Sequence, residues 1–252
     1  MPCRNPKQWP RRPDVSGNAG AVRNHEAHRL NDPAAFIRAN TELLPPPLVP
    51  EIVLHLATEV VPLWRKTEEE LEAQGVPPPF WAFAWAGGQA LARHVLDHPE
   101  IVTGKRVLDF GAGSGLIGIA AMKAGATSVL CADIDKFAVA AIALNAEAND
   151  VAVSATADDV IGQAGDWDVI LVGDMCYERP LAERILVWLK ARAAAGANVF
   201  LGDPKRSYFP ASGVEKLESY SVQTTRELED REIRETGVYR LLPDTLAGAG
   251  PT

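Results

Sequence analysis

Nine residues, Val107 to Gly115, constrain this chain more than any others. Val107-Leu108-Asp109-Phe110 is an apolar run broken by one carboxylate, and Gly111, Gly113 and Gly115 follow it at alternate positions. Such a run reads as a buried strand, and the glycines let the backbone turn sharply into a helix while leaving peptide groups open to a ligand. Further on, Val129-Leu130-Cys131-Ala132-Asp133 reads as a second buried strand ending in an acid. Together they describe a site for an adenosine-containing ligand.

Charge and one missing glycine narrow the choice of ligand. A dinucleotide fingerprint needs Gly-x-Gly-x-x-Gly, which seats a pyrophosphate on the helix N-terminus. Here Leu116 stands three positions after Gly113, and Gly115 comes one too early. Asp109, expected at the mouth of the turn, would repel a pyrophosphate but suit a ligand carrying an ammonium and a sulfonium. S-adenosylmethionine is such a ligand.

The chain has 252 residues and 47% hydrophobic content, enough for one enzyme-sized core. Its three cysteines, Cys3, Cys131 and Cys176, are scattered. They form neither a disulfide framework nor a zinc spacing, so the expectation is a reducing compartment and no metal. A formal charge of −8 argues against a nucleic-acid partner, and no apolar run reaches membrane-spanning length. The expected setting is the cytoplasm, or the mitochondrial matrix for a eukaryotic source.

Four segments are expected. Residues 1–31, rich in arginine, proline and glycine and lacking apolar periodicity, read as a disordered tail; a transit peptide would share the basic character but should be amphipathic. Residues 32–79 read as an N-terminal extension, a lid or substrate-facing element. It holds a helix over Ala34–Leu44 stopped by Pro45-Pro46-Pro47, an alternating strand through Ile52, Leu54 and Leu56, and a charged helix from Trp64 to Gln74. Pro77-Pro78-Pro79 then delivers the aromatic segment Phe80 to Trp85 as a loop to the start of the next helix. Residues 80–243 read as the catalytic domain, and 244–252 as a second disordered tail.

From Arg106 onward strand and helix alternate, the pattern of a mostly parallel sheet covered on both faces. Strands are expected at Arg106–Phe110, Ser128–Asp133, Val151–Thr156, Asp168–Gly173 and Asn198–Gly202. Tyr220–Leu228 and Arg234–Leu242, joined by a short polar link, are expected to pair antiparallel.

Open α/β sheets bind ligands at the carboxyl ends of their strands, and acids recur there. Asp133 can accept from both ribose hydroxyls, with Asp135 the better helix cap. After the third strand, Asp158 and Asp159 compete for the adenine amino group, and Asp159 is preferred. The fourth strand ends in Asp174-Met175-Cys176-Tyr177. A DNA adenine methyltransferase would carry Pro-Pro between the acid and the tyrosine to grip a flipped base. Without those prolines the pair suits a cationic amine, which the carboxylate orients and the ring faces.

Four segments in order, Phe80-Trp81-x-x-x-Trp85-x-Gly87-Gly88-Gln89-Ala90-Leu91-Ala92-Arg93, the Asp109 glycine loop, Gly173-Asp174-Met175-x-Tyr177 and Gly202-Asp203-Pro204-x-Arg206, resemble the seven-β-strand protein-lysine methyltransferases. Within them the chain is most similar to the electron transfer flavoprotein β-subunit lysine methyltransferases of bacterial type. The similarity runs from Phe36 to Leu242. It departs from the vertebrate-like motif at Ala86, where proline is usual, and at Phe110-Gly111-Ala112-Gly113, where Leu-Gly-Ser-Gly is commoner.

The resemblance implies a class I methyltransferase fold, Rossmann-like, with a seven-stranded sheet closed by an antiparallel C-terminal hairpin. It implies S-adenosylmethionine as cofactor, with Trp85, Gly87, Gly88 and Gln89 over its methionine end and Gly111 and Gly113 beneath. Asp174 and Tyr177 would line the lysine channel as catalytic residues, and Asp203 would stand on its rim. The implied reaction is in-line methyl transfer to a lysine ε-nitrogen of a protein substrate, the electron transfer flavoprotein β subunit; nothing in the sequence suggests an obligate dimer surface, and a monomer is expected. No side chain stands out in the sequence as the proton acceptor. A ribosomal protein lysine, a small amine, or a non-catalytic cofactor-binding scaffold remain the alternatives.

Overall fold

The computed structural model describes residues 32–58, 78–224 and 232–243. The expected helix from Trp64 to Gln74, both tails and the link between the last two strands lie outside them.

The first helix, α1 (Pro33–Asn40), begins with proline, whose fixed φ suits the first turn, and Asp32 caps it by accepting from the Ala35 N–H at 3.0 Å. It is shorter than expected. Asn40 and Thr41 turn their side chains back onto the Phe36 and Ile37 carbonyls, ending the helix before Leu44. The freed residues form β1 (Glu42–Leu44), antiparallel to β2 (Leu54–Leu56).

This hairpin is tied to the catalytic domain by two asparagines of a later helix, α4 (Lys136–Ala148), and its cap. The Asn145 and Asn149 side-chain oxygens accept from the His55 and Val53 N–H groups at 2.7 and 3.0 Å. Aromatic packing anchors α1 to the same helix, with Phe36 edge-on to Phe137 and Trp81 stacked with it.

Helix α2 (Ala86–Asp97) follows a single 3-10 turn at Phe80–Ala82. Then come β3 (Arg106–Phe110), α3 (Leu116–Lys123), β4 (Ser128–Ala132), α4, β5 (Ser154–Thr156), β6 (Val169–Gly173), α5 (Arg179–Ala194), β7 (Asn198–Asp203), β8 (Val214–Gln223) and β9 (Ile233–Leu241).

The sheet order is β5-β4-β3-β6-β7-β9-β8, the first five strands parallel and the last two antiparallel. The seven-stranded sheet with its antiparallel ending agrees with the expected class I methyltransferase architecture. Strand β8 starts at Val214, six residues before the expected Tyr220. The charged run Glu215-Lys216-Leu217-Glu218 hid it, because an edge strand with a solvated face has no buried alternation to display.

The chain winds outward from β3 to β5, then returns to β6 on the other side of β3. The switch point therefore lies between β3 and β6, where open sheets leave a crevice beyond their carboxyl ends. Two apolar layers cover the sheet: α2 and α3 pack with Val107, Ile119, Val169 and Leu171 on one face, and α5 packs with Leu108, Ile170, Val172 and Trp188 on the other.

Candidate active site

The turn after β3 is built by its glycines. Gly111, Gly113 and Gly115 all lie in the left-handed region, with φ of +65°, +51° and +78°. A Cβ on Gly111 would strike Met175 Sδ at 2.4 Å, whereas one on Gly113 would meet nothing closer than Trp81 Cα at 3.9 Å. Gly113 thus opens onto a cradle. Asp133 holds it from the end of β4: one carboxylate oxygen accepts from the Gly113 N–H at 2.8 Å and the other from Asp135 N–H at 3.0 Å. Asp135 in turn caps α4 through the Phe137 N–H, as expected.

Asp109 stands elsewhere than expected. It is fully buried beneath the turn, not at its mouth, because its position in β3 points it at α3. Its Oδ2 accepts from the Gly118 N–H at 2.8 Å, and Oδ1 has no hydrogen-bond partner among the described residues. Burial pushes its carboxyl up to about 7. Gly118 is glycine because a Cβ there would sit 2.5 Å from Cys131 Sγ.

The Trp85-x-Gly87-Gly88-Gln89 segment proves to be a joint between α2 and the sheet. A Cβ on Gly87 would lie 2.2 Å from the Gly202 carbonyl oxygen and 2.6 Å from Asp174 Oδ2. Helix and strand backbones meet there with no room for a side chain. Gly88 N–H donates to Asp174 Oδ2 at 2.9 Å. The buried Gln89 amide bridges the Ala84 carbonyl and the Leu48 N–H, at 2.7 and 3.2 Å. Trp85 Nε1 donates to the Phe80 carbonyl.

Asp174 follows β6 with φ of +59°, a strained conformation for a residue with a side chain. It is not an isolated acid. Arg206, after β7, donates to its Oδ1 from Nε at 2.8 Å and lies within 2.6 Å through Nη2. The Arg206 guanidinium also lies over the Trp85 ring, 5.5 Å from its centroid. Arg206 belongs to a segment quoted from the sequence but was not singled out there. No spacing within that segment signals the pairing, which joins residues 32 apart on neighbouring strands.

The β6–β7 register sets Gly173 opposite Gly202, so Asp174, just past β6, and Asp203, the last residue of β7, stand side by side. Asp203 Oδ1 accepts from the Arg206 N–H at 2.6 Å, while its buried Oδ2 has no partner among the described residues. Burial, then the neighbouring Asp174 charge, push the Asp203 carboxyl up to about 7. Tyr177 is exposed, its ring 5.9 Å from Phe80, which in turn lies 5.8 Å from Trp85. These three rings and Arg206 form a rim around the acids.

Asp159 lies at the end of the β5 region but is exposed and paired with Arg184 at 2.5 Å, also accepting from the Ile161 N–H. Asp158 accepts from Thr156 Oγ1 at 3.0 Å. Sequence reasoning passed over Ile134, 72% exposed directly after Asp133, an apolar face offered beside the acid.

The residues suit S-adenosylmethionine on two observations: the open cradle at Gly113 and the partly exposed multi-acceptor carboxylate of Asp133.

Residues 90–174 match the family model for ribosomal protein L11 methyltransferase. The chain is 39% identical over 218 residues to the electron transfer flavoprotein beta subunit lysine methyltransferase of Xenopus laevis, covering 84% of this chain and 87% of that one. It is 42% identical over 178 residues to the protein of the same name in Danio rerio, covering 69% and 68%. A solved Pyrococcus horikoshii structure, provisionally assigned as an RNA methyltransferase, superposes with a TM-score of 0.50 at 17% identity over 71% of this chain and 98% of that one. At that identity the likeness is one of fold. Identity of this extent over most of both chains settles the relationship: the chain belongs to the electron transfer flavoprotein beta subunit lysine methyltransferase family.

Proposed function

We propose that this protein methylates a lysine ε-amine on the β subunit of electron transfer flavoprotein, using S-adenosylmethionine bound at the β3–β4 strand ends. The observation that carries the reading is the acidic pair Asp174 and Asp203, set side by side by the β6–β7 register next to an open glycine turn.

When bound, the cofactor supplies a methyl group on a positively charged sulfur. Gly111 and Gly113 would give it a floor of bare peptide, Asp133 would accept from its ribose, Ile134 would offer an apolar face to its adenine, and Asp159 or Asp158 would meet its amino group. Trp85 and Gly88 would frame the methionine side, while Gly87 and Gln89 hold α2 against the sheet behind them. Asp109 supports the turn from below.

The lysine enters past Phe80, Trp85 and Tyr177. It arrives as an ammonium, which has no lone pair, and at neutral pH its deprotonation costs about 4 to 5 kcal/mol. With Arg206 answering Asp174, the ionised cluster keeps one net negative charge from Asp203, which draws the ammonium in. Desolvation inside the rim lowers the amine's basicity. Asp203, its carboxyl near neutrality, takes the proton. With the amine neutral, its lone pair is free for the methyl group that the cofactor would supply, the departing thioether keeping the carbon–sulfur electron pair. Asp174, locked by Gly88 and Arg206, positions Arg206 and the rim around the amine.

Incubation with labelled S-adenosylmethionine and purified electron transfer flavoprotein, followed by peptide mass spectrometry, tests the reading. Methylated lysine on the β subunit is the expected result, and an unmodified β subunit overturns it. Because residues 90–174 match the ribosomal protein L11 methyltransferase model, L11 serves as the second substrate arm. Methylation of L11 alone would transfer the assignment to the ribosome.

A further inference from the structure

Far from the glycine turn, at the opposite end of α2, two imidazoles and a carboxylate converge. His94 and His98 are four residues apart, on one face of the helix and its cap, with ring centroids 4.5 Å apart. His94 Nδ1 lies 3.3 Å and His98 Nε2 3.5 Å from the same oxygen of Glu218, on edge strand β8. The three donor atoms all fall within 4.8 Å of one another. We propose that His94, His98 and Glu218 form a binding site for a zinc-class divalent ion, clamping the end of α2 to the sheet edge.

The spacing fits the ion. Zinc bonds of 2.0–2.1 Å in tetrahedral geometry set neighbouring donors about 3.3 Å apart. Both donor distances measured to Glu218 are close to that. Two imidazoles and one carboxylate leave a fourth corner for water, and Tyr220 Oη, 3.0 Å from both His94 Nδ1 and Glu218 Oε2, is placed to hydrogen-bond there.

The ligands are oriented from behind as well. With Nε2 turned to Glu218, the other ring nitrogen of His98 lies 3.5 Å from Glu100. A carboxylate on the far nitrogen is the usual support of a metal-bound imidazole. The nearest cation on α2, Arg93, is occupied by Asp97 and Glu51.

The strand itself is bent to present Glu218. Lys216 pairs with Tyr239 but Glu218 pairs with the adjacent Val238, so Leu217 is an extra residue in the ladder. Tyr239 packs in the α5 layer and Val238 in the α2 layer. A regular strand would put residues 216 and 218 on one face, away from α2. The bulge turns Glu218 onto the face that carries the histidines. The sequence reading expected no metal because it weighed only cysteine spacing; the third donor here lies 120 residues from its nearest partner and reaches it only through that bulge.

The test uses the full chain, stripped with a chelator. Zinc is titrated in competition with a chromogenic chelator, and cobalt is added separately for its visible spectrum. One equivalent of zinc, a tetrahedral cobalt spectrum and a zinc-dependent rise in Tm are expected. His98→Gln and Glu218→Gln remove partly exposed side chains, so both variants should fold and bind S-adenosylmethionine normally. Each should weaken zinc about 100-fold or more, the upper end of what loss of mere supporting contacts costs, and abolish the Tm rise. Absence of stoichiometric binding in the wild type, or binding that survives unchanged in both variants, overturns the proposal.

Discussion

Replacing Asp109 with asparagine should flatten the pH dependence of stability, and the sign follows from where the carboxyl sits. In the unfolded chain its pKa is near the ordinary aspartate value of about 3.9, and in the fold burial raises it to about 7. Below the unfolded value the group is protonated in both states and its contribution is intact. Between about pH 4 and 7 the unfolded chain releases the proton while the folded chain keeps it, so stability falls as pH rises. Above 7 both forms are ionised and the loss levels off. A difference of about three units corresponds to roughly 4 kcal/mol, an upper bound because relaxation around a buried charge softens it. The Asp109→Asn side chain retains an oxygen for the Gly118 N–H, the contact measured at 2.8 Å, and cannot ionise. Urea unfolding followed by tryptophan fluorescence at pH 4.5 and pH 8 gives the quantity needed, since the chain has six tryptophans. The variant should gain on the wild type by about 2 to 4 kcal/mol between those pH values. Asp135 and Asp203 are also raised by burial, but they titrate in both proteins and cancel in the difference. A gap between variant and wild type that stays constant with pH would refute the buried, uncharged Asp109.

Gly87→Ala should lose more than about 3 kcal/mol or fail to fold, because its Cβ collides with backbone, whereas Gly88→Ala, with nothing within 4 Å, should hold or gain up to about 1 kcal/mol; equal urea midpoints would refute the joint. Asp203→Asn should lower methyl transfer and erase a rise of kcat/KM through about pH 7, a rise expected because a proton acceptor works in its ionised form; an unchanged profile removes Asp203 from that role. Arg206→Ala leaves Asp174 and Asp203 facing each other uncompensated and should cost about 3 kcal/mol in the same unfolding assay, with a loss under about 1 kcal/mol showing the pair to be immaterial.

The parts of the fold legible in the sequence were those whose burial pattern is local. Strand Arg106–Phe110 was read to the residue, since both faces are covered and every position from Val107 to Phe110 must be apolar or specially accommodated. The start of β8 was illegible because its first residues face solvent along the sheet edge. The end of α1 was missed because it is set by Asn40 and Thr41 returning to their own helix, a competition that the apolar side of a helix does not record. At the site, the sequence marked the acids but not their company. That Gly87 faces Gly202, and that Arg206 answers Asp174, are long-range contacts fixed by strand register, and no spacing within either segment encodes them.

The register also explains why these segments belong together. Two parallel strands that pair Gly173 with Gly202 set the next residues, both aspartates, side by side. Like charges so placed cannot both ionise cheaply in a buried setting, and something must yield. The Arg206 guanidinium pairs with one of them, Asp174. Asp203, left with an unpartnered buried oxygen, takes up the repulsion as a carboxyl shifted toward neutrality. One arrangement therefore yields two unlike acids from two like residues: one bound to a guanidinium that holds the rim and one that can meet a proton. A lysine presented to that pair encounters attraction while it is an ammonium and an acceptor once it must shed its proton. A second arginine at the site would abolish the first effect, and a fully solvated Asp203 the second. On the proposed reading, the separation of roles rests less on either aspartate than on the arginine whose guanidinium pairs with Asp174 and whose backbone N–H meets Asp203.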